Sequence, residues 1–349
     1  MSLPIMGIKT AHMPFSHIEQ QAQSWKDNVL GAICFCEPLS DNNIAEVAEF
    51  PTIQLHAPIL DGADFSSEIW LSKPVLPQCK SLRSGLHSAI QYRFNDELLF
   101  GVICVPELNS LQSATESAYN QIFALMEEQD YPYIYRFWNY MADINGVDNG
   151  LERYRQFNVG RKDAFSACDA KIANQLPAAC ALGLADGPLT IAFLLGRQRP
   201  VAIENPRQIN AYEYPEEYGP RTPSFSRATL LHSDQDALLF ISGTASIVGH
   251  VTQHPLDVLA QTRETLVNLE AVIAEANRMI GKSKFNLHDI YFRVYIRHVA
   301  DLSLVRDEMQ RYIGGTIRAV FVQADICRQD LLLEIEATAG HTLALSSTS

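Results

Sequence analysis

The sequence predicts an α/β (α+β) fold of two similar halves in tandem, each a mixed β-sheet with helices packed on one face. Three observations carry this. An order of strands and helices occurs twice between residues 97 and 339, the strand segments alternate β-branched and aromatic residues, and the helical segments repeat apolar positions at 3.6-residue spacing, as in Leu259, Leu266, Leu269 and Ile273.

Residues 1–84 are poorly periodic and dotted with proline, in FCEPLS, EFPTIQLHAPIL and SKPVLPQCK, and are expected as an irregular lead-in packed on the first half. The first half, 85–200, contains strand 97–105, helix 111–129, strand 133–144, a polar helical segment over 151–165, and two strands within 178–196. The second half, 201–349, repeats the order with strand 237–248, helix 257–280, strand 289–302, helix 303–313 and strands 316–325 and 330–339. A linker rich in Pro, Tyr and Glu, 199–228, joins the copies, and a loop of that length is expected to carry function. Laying PLTIAFLLG over DLLLEIEAT puts apolar residues near Ala192 where the second copy has Glu334, so only the second half can supply that acid.

The 349 residues, 47% hydrophobic and 19% charged, suit one large domain or two ordinary ones. A formal charge of −13 repels nucleic acid and anionic membranes, so neither is an expected partner. Seven cysteines form no CxxC pair, and several lie in apolar runs such as GAICFC and FGVICV. The N-terminal stretch MSLPIMGIKTAHMPF lacks a charged segment followed by an apolar run, and a reducing, cytoplasmic setting is expected. P-loop, GxGxxG, HExxH and GxSxG patterns are absent from the sequence, which leaves nucleotide-dependent, metalloprotease and α/β-hydrolase chemistry without a motif.

The closing segment DLLLEIEATAG places Glu334 and Glu336 on one face of a strand, with Leu331, Leu333 and Ile335 on the other. A carboxylic acid that donates a proton near neutrality needs burial to raise its pKa, and Glu334 is placed for this, with Glu336 as its competitor. A small anionic substrate calls for arginines: Arg153, Arg155 and Arg161 in LERYRQFNVGRK, Arg221 in the linker, and Arg293 and Arg297, which share a strand face with Tyr295. Tyr212, Tyr214 and Tyr218 crowd the linker, either to donate to a substrate oxygen or to pack. Cys327 is either partly activated by Arg328 beside it or a small hydrophobe. His250 and His254 are four apart without a third ligand in register, so no metal site is expected.

Residues 208–341 resemble the Rid/YjgF family in GPRTPSFSRATL, FISGTAS, QTRETLVNLEAVIAEA and the closing EIEATA. That resemblance implies a six-stranded chorismate-mutase-like domain, commonly trimeric, with clefts between neighbouring domains. The family pattern expects an arginine on the penultimate strand, where a gapless count finds Ala319, with Arg318 one position off; enamine or imine deamination is an alternative activity. The whole chain looks more like the chorismatases, through RFWNYMADIN, YRQFNVGR, NPRQINAYEYPEEYGPRTPSFSRA, SGTASIVGH and CRQDLLLEIEA. Among these it is most similar to the bifunctional 3-/4-hydroxybenzoate synthases of pigment-making bacteria, sometimes labelled pteridine-dependent dioxygenase-like. The resemblance implies cofactor-free cleavage of chorismate to pyruvate and a hydroxybenzoate, with Glu334 as proton donor and Ala245 and Cys327 flanking the ring. It further implies that Tyr154, Arg161, Tyr214, Arg221 and Arg297 hold the substrate, in a monomer with internally paired domains or a homo-oligomer. A non-catalytic small-molecule-binding protein on the same fold is the remaining alternative.

Overall fold

The computed structural model describes residues 8–36, 49–72, 82–233, 236–340 and 343–345, so Cys79 and most of SKPVLPQCK lie outside the described residues. Two large sheets share one strand order. The first runs Ala178–Leu184, Tyr133–Ala142, Leu189–Gly196, Leu98–Val105, Ile90–Phe94, Arg83–His87. The second runs Arg318–Gln323, Tyr291–Ile296, Leu333–Ala339, Ala237–Thr244, Ala228–His232, Val201–Ile203, and Ile59–Asp61 extends its Arg318–Gln323 edge. In both, the first two strands named are parallel and the others antiparallel.

Helices cover one face of each large sheet. Leu111–Gln129 and Arg153–Ala167 lie on the first, where Tyr119, Ile122 and Phe157 pack with Phe137 and Phe193. Gly160 lets these two helices touch, because a Cβ there would run into the carbonyl oxygen of Gln112. Val258–Ile280 and Leu302–Ile313 cover the second sheet through Leu266, Leu269, Val272 and Met309. Asp257 caps the long helix by accepting the Ala260 N–H at 3.0 Å, and Gly281, in left-handed backbone at φ +69°, ends it.

The other faces of both sheets turn toward each other. Trp138, Phe100 and Tyr140 from the first meet Phe240, Tyr295 and Val322 from the second in a single core that also holds Trp70. Period-two alternation sorts the closing strand: Leu333, Ile335, Ala337 and Ala339 pack under the helices, whereas Glu334 and Glu336 point between the sheets. On the matching strand of the first sheet, Ala192 and Leu194 fill that inner position.

The N-terminal segment departs from the expected irregularity. Ile8–Met13, Val29–Cys36, Thr52–His56 and Ser67–Ser72 form a third sheet, which the strand Leu343–Leu345 completes. Its prolines fall outside these strands, and burial of both faces of Val29–Cys36 hides the alternation that would have revealed it. The first large sheet begins at Arg83, so the expected boundary at 84 falls inside a strand. Several strands are shorter than expected, two of them by four residues or more at one end. Tyr291–Ile296 stops where a turn leads into the next helix, and Ala237–Thr244 stops at a register shift between Ile241 and Thr244, followed by the hairpin Ile247–Val248/Val251–Thr252.

Leu269 is fully buried between its helix and the second sheet. Leu269→Ala is expected to cost about 2–5 kcal/mol, read as a lower urea midpoint with an unchanged slope.

Candidate active site

A cleft of about 530 Å³ opens where the two halves meet within one chain. Glu152, Tyr154 and Arg155 reach it from the start of the helix Arg153–Ala167, and the linker contributes Gln208, Tyr214, Tyr218, Phe225 and Arg227. The chain after the register shift supplies Gly243, Ala245 and Ile247, and the segment before the closing strand supplies Cys327 to Asp330, ahead of Glu334 itself.

Glu334 lies 4% exposed on the cleft floor. Burial raises its pKa to about 8, the neighbouring Glu336 charge adds to the rise, and Arg136 opposes it. The acid is therefore protonated at neutral pH. Gly243 makes room for it, since a Cβ at that position would occupy the place of Glu334 Oε1.

Glu336 has the opposite surroundings. It accepts from Arg136, from Arg293 Nη1 at 2.6 Å and from the Tyr295 hydroxyl at 2.8 Å. Burial opposes its charge, but the two guanidiniums and the hydroxyl outweigh burial and hold its pKa below the ordinary carboxylate value. Arg293 also donates to Glu68 of the N-terminal sheet, and Arg136 donates to the Ile241 carbonyl at 2.9 Å. These partners set the two acids apart: Glu336 is tied into an ion cluster and Glu334 faces the cavity.

The aromatic wall is tied to cations. Arg227 Nη2 donates to the Tyr214 hydroxyl at 2.9 Å, and the Arg328 guanidinium lies 4.1 Å from the centre of the Tyr218 ring. Tyr218 in turn donates to the His250 carbonyl at 2.8 Å. Arg227 Nε and Arg328 Nη2 are buried without a hydrogen-bond acceptor.

Of the residues expected to form the site, Glu334, Cys327, Ala245, Tyr154 and Tyr214 line the cleft. Of the six candidate arginines, only Arg155 lines it: Arg153 is held by Glu107 and Asp148, Arg293 belongs to the Glu336 cluster, and the remaining three are also spent elsewhere. Arg297 sits one residue past its strand, and its guanidinium holds the segment 325–331 by donating to Leu331, Ile326 and Arg328 carbonyls and to Asp325 and Asn145, which leaves nothing for a ligand. Arg161 lies in the helix-covered core, within 5.3–5.9 Å of the rings of Tyr119, Phe137, Phe157 and Phe165. Arg221 is largely exposed and pairs with Asp163 at 3.4 Å. Of the two readings of Cys327, the small hydrophobe fits: burial first and the Glu334 carboxyl second push the thiol up to about 12, and the opposing pull of Arg328 is the lesser effect. Among the described residues no cluster of His, Cys, Asp or Glu has metal-holding geometry, and His254 instead pairs with Glu264 at 3.6 Å.

Residues 68–195 match the family model described as chorismatase FkbO/Hyg5-like, N-terminal. A 3-hydroxybenzoate synthase of Streptomyces hygroscopicus is 36% identical over 327 residues, spanning 88% of this chain and 91% of the relative. The chain belongs to the chorismatase family. A chorismatase of Streptomyces rapamycinicus is 39% identical over 264 residues, covering 74% of this chain and 79% of its own length. A crystal structure of a chorismatase superposes with a TM-score of 0.84 at 32% identity, over 97% of this chain and all of the other.

In this chorismatase-family chain the cations that reach the cleft are Arg155, Arg227 and Arg328. Arg155 was among the candidates in LERYRQFNVGRK, whereas Arg227 and Arg328 were not singled out as ligands. The signal for them was their aromatic company, Phe225 and the linker tyrosines, but the partner tyrosines are 13 and 110 positions away in sequence.

Arg297→Ala is expected to free the segment 325–331. Limited proteolysis with mass mapping reads this as new cleavage there, and an unchanged digest would contradict the anchoring role.

Proposed function

We propose that this chain cleaves the enolpyruvyl ether of chorismate to pyruvate and a hydroxybenzoate, with Glu334 as the proton donor. The observation that supports this most directly is a buried carboxyl, its pKa raised to about 8, on the floor of a cleft whose walls carry arginines and tyrosines.

Glu334 gives its proton to the terminal methylene carbon of the vinyl ether, and positive charge develops on the ether-bearing carbon as an oxocarbenium ion. Where water adds to that carbon, the hemiketal breaks its bond to the ring oxygen and releases pyruvate, and the ring diol left behind loses water to give the aromatic acid. Where the neighbouring ring hydroxyl adds instead, the cyclic ketal opens by breakage of a ring carbon–oxygen bond and the ring loses a proton to become aromatic. The hemiketal that remains takes up that proton and falls apart to pyruvate and the hydroxybenzoate with no loss of water. Chorismate carries two carboxylates, and Arg155, Arg227 and Arg328 with Tyr154 and Tyr214 are the groups placed to hold them. Burial raises the Tyr154 pKa, which keeps it a neutral hydrogen-bond donor. Ala245 and the neutral thiol of Cys327 flank the ring and bias the choice of product, 3- or 4-hydroxybenzoate. Acid chemistry and fixed charge suffice for these steps, so we assign no cofactor.

The shared strand order of the two large sheets supports reading them as tandem Rid/YjgF-like domains, the first having lost its acid. The deaminase alternative has less support: Arg318 is exposed and Ala319 packs under the helices. No helix among the described residues is long and apolar enough to cross a membrane, in keeping with a cytoplasmic enzyme acting on a small molecule.

Incubating the purified protein with chorismate and separating the products by chromatography tests the reading; folded protein that releases no pyruvate above the blank rejects it, and saturable binding without turnover would favour the non-catalytic alternative. Glu334→Gln is expected to lower kcat by about 10²–10⁴ with little change in binding. Because Glu334 must hold its proton, kcat is expected to stay level through neutrality and to fall as pH rises past about 8. Cys327→Ala should change the ratio of products more than the total rate, and an unchanged ratio would reduce the thiol to packing.

A further inference from the structure

We propose that Glu336 and Arg136 are positioning residues of opposite sign for the cleft acid: the fixed Glu336 anion helps Glu334 keep its proton as pH rises, and Arg136 limits that effect. This deepens the chorismate-cleaving reading and rests on it for its kinetic arm alone.

The placement carries the inference. Glu334 and Glu336 are two apart on one strand, so their carboxyls leave the sheet on the same side. Glu336 is buried and immobilised, with Arg136 on one flank, Arg293 on the other and the Tyr295 hydroxyl donating to it. Arg293 is also anchored by Glu68 of the N-terminal sheet, and neither of the two lines the cleft. Arg136 is anchored by the Ile241 carbonyl, on the strand that also carries Gly243 against Glu334.

The groups facing Glu334 come from every element packed on it. The adjoining loop supplies Cys327, the helix Arg153–Ala167 supplies Tyr154, and the strand Ala178–Leu184 supplies Cys180. Each of these three is driven toward its neutral form by burial, so it lends Glu334 no fixed charge. Tyr295, directly opposite Glu334 in register, is spent on Glu336. Arg155 of the helix Arg153–Ala167, Arg227 of the linker and Arg328 of the loop line the same cleft, but the fixed charges that act on Glu334 are the Glu336 anion, which disfavours a second anion beside it, and the Arg136 cation, which favours one.

Two substitutions test this with opposite signs. Glu336→Gln removes the anion and leaves Arg136 acting alone, so Glu334 should lose its proton about one pH unit or more lower. The basic limb of the kcat profile moves down with it, and turnover at pH 8 falls about fivefold or more relative to the wild type. Arg136→Gln should move the limb to higher pH. A purely structural role would lower activity at all pH values and leave the limb in place.

Infrared titration of the protonated carboxyl band, assigned by its loss in Glu334→Gln, reads the same shift without substrate. If chorismate is not turned over but the band moves in both directions as described, the functional reading fails and the positioning inference stands. If chorismate is cleaved and both variants titrate with the wild type, the inference is overturned. Should either substitution prevent folding, the other decides alone.

Discussion

The fold turns on one buried ion cluster. Taking carboxylates and guanidiniums out of water costs several kcal/mol per ion unless each meets a partner in good geometry, and here the partners come from three different sheets. Glu68 belongs to the N-terminal sheet, Arg136 to the first large sheet, and Arg293 and Glu336 to neighbouring strands of the second. A slip of any sheet by one residue would turn its member of the cluster to the opposite face and strand the others without a counter-charge. The apolar core around Trp70, Trp138 and Phe240 supplies burial, which is tolerant of direction, whereas the cluster fixes register. The hydroxyl pair of Tyr140 and Tyr295, 2.9 Å apart, extends the polar contacts between the two large sheets.

The cleft sits at the edge of this arrangement, and its chemistry follows from the edge. Within two residues of one strand, a carboxyl surrounded by donors is held charged and a carboxyl facing a cavity is held neutral. The register shift between Ile241 and Thr244 on the neighbouring strand spans Gly243, whose lack of a side chain leaves room for Glu334 beside the cavity. Opposite it, Arg297 draws the segment 325–331 inward by its carbonyls and so places Cys327 and Arg328 on the wall.

Much of the architecture was legible because local pattern and tertiary role agree. The helix expected over 111–129 is Leu111–Gln129, and that expected over 257–280 is Val258–Ile280, since one apolar stripe on each meets one sheet face. The alternation in LLLEIEATA likewise put Glu334 on the inner face. The N-terminal sheet was hidden because its central strand is buried on both sides and so carries no period, and because its partners are brought together from distant parts of the chain, including 343–345. The arginines divide for a similar reason. Sequence does not show that carbonyls of a later loop, with Asn145 and Asp325, take up all the donors of Arg297, and Arg161 looks polar although its guanidinium lies among Tyr119 and Phe137 from elsewhere and Phe157 and Phe165 of its own helix. The thiol of Cys327 follows the same rule: adjacency to Arg328 in sequence says nothing about a guanidinium that stacks on Tyr218 instead.

Gathering the cleft's lining from both halves of one polypeptide has a consequence for how the molecule can diversify. In a ring of identical copies every wall of a pocket is encoded by the same gene segment, so a change that suits one wall is imposed on its counterpart. Here the helix-borne wall around Tyr154 and the acid-bearing wall around Glu334 are written separately, and the inner position occupied by Ala192 and Leu194 is released from any duty but filling space. One wall is thus free to drift toward a new ring shape while the other keeps its proton.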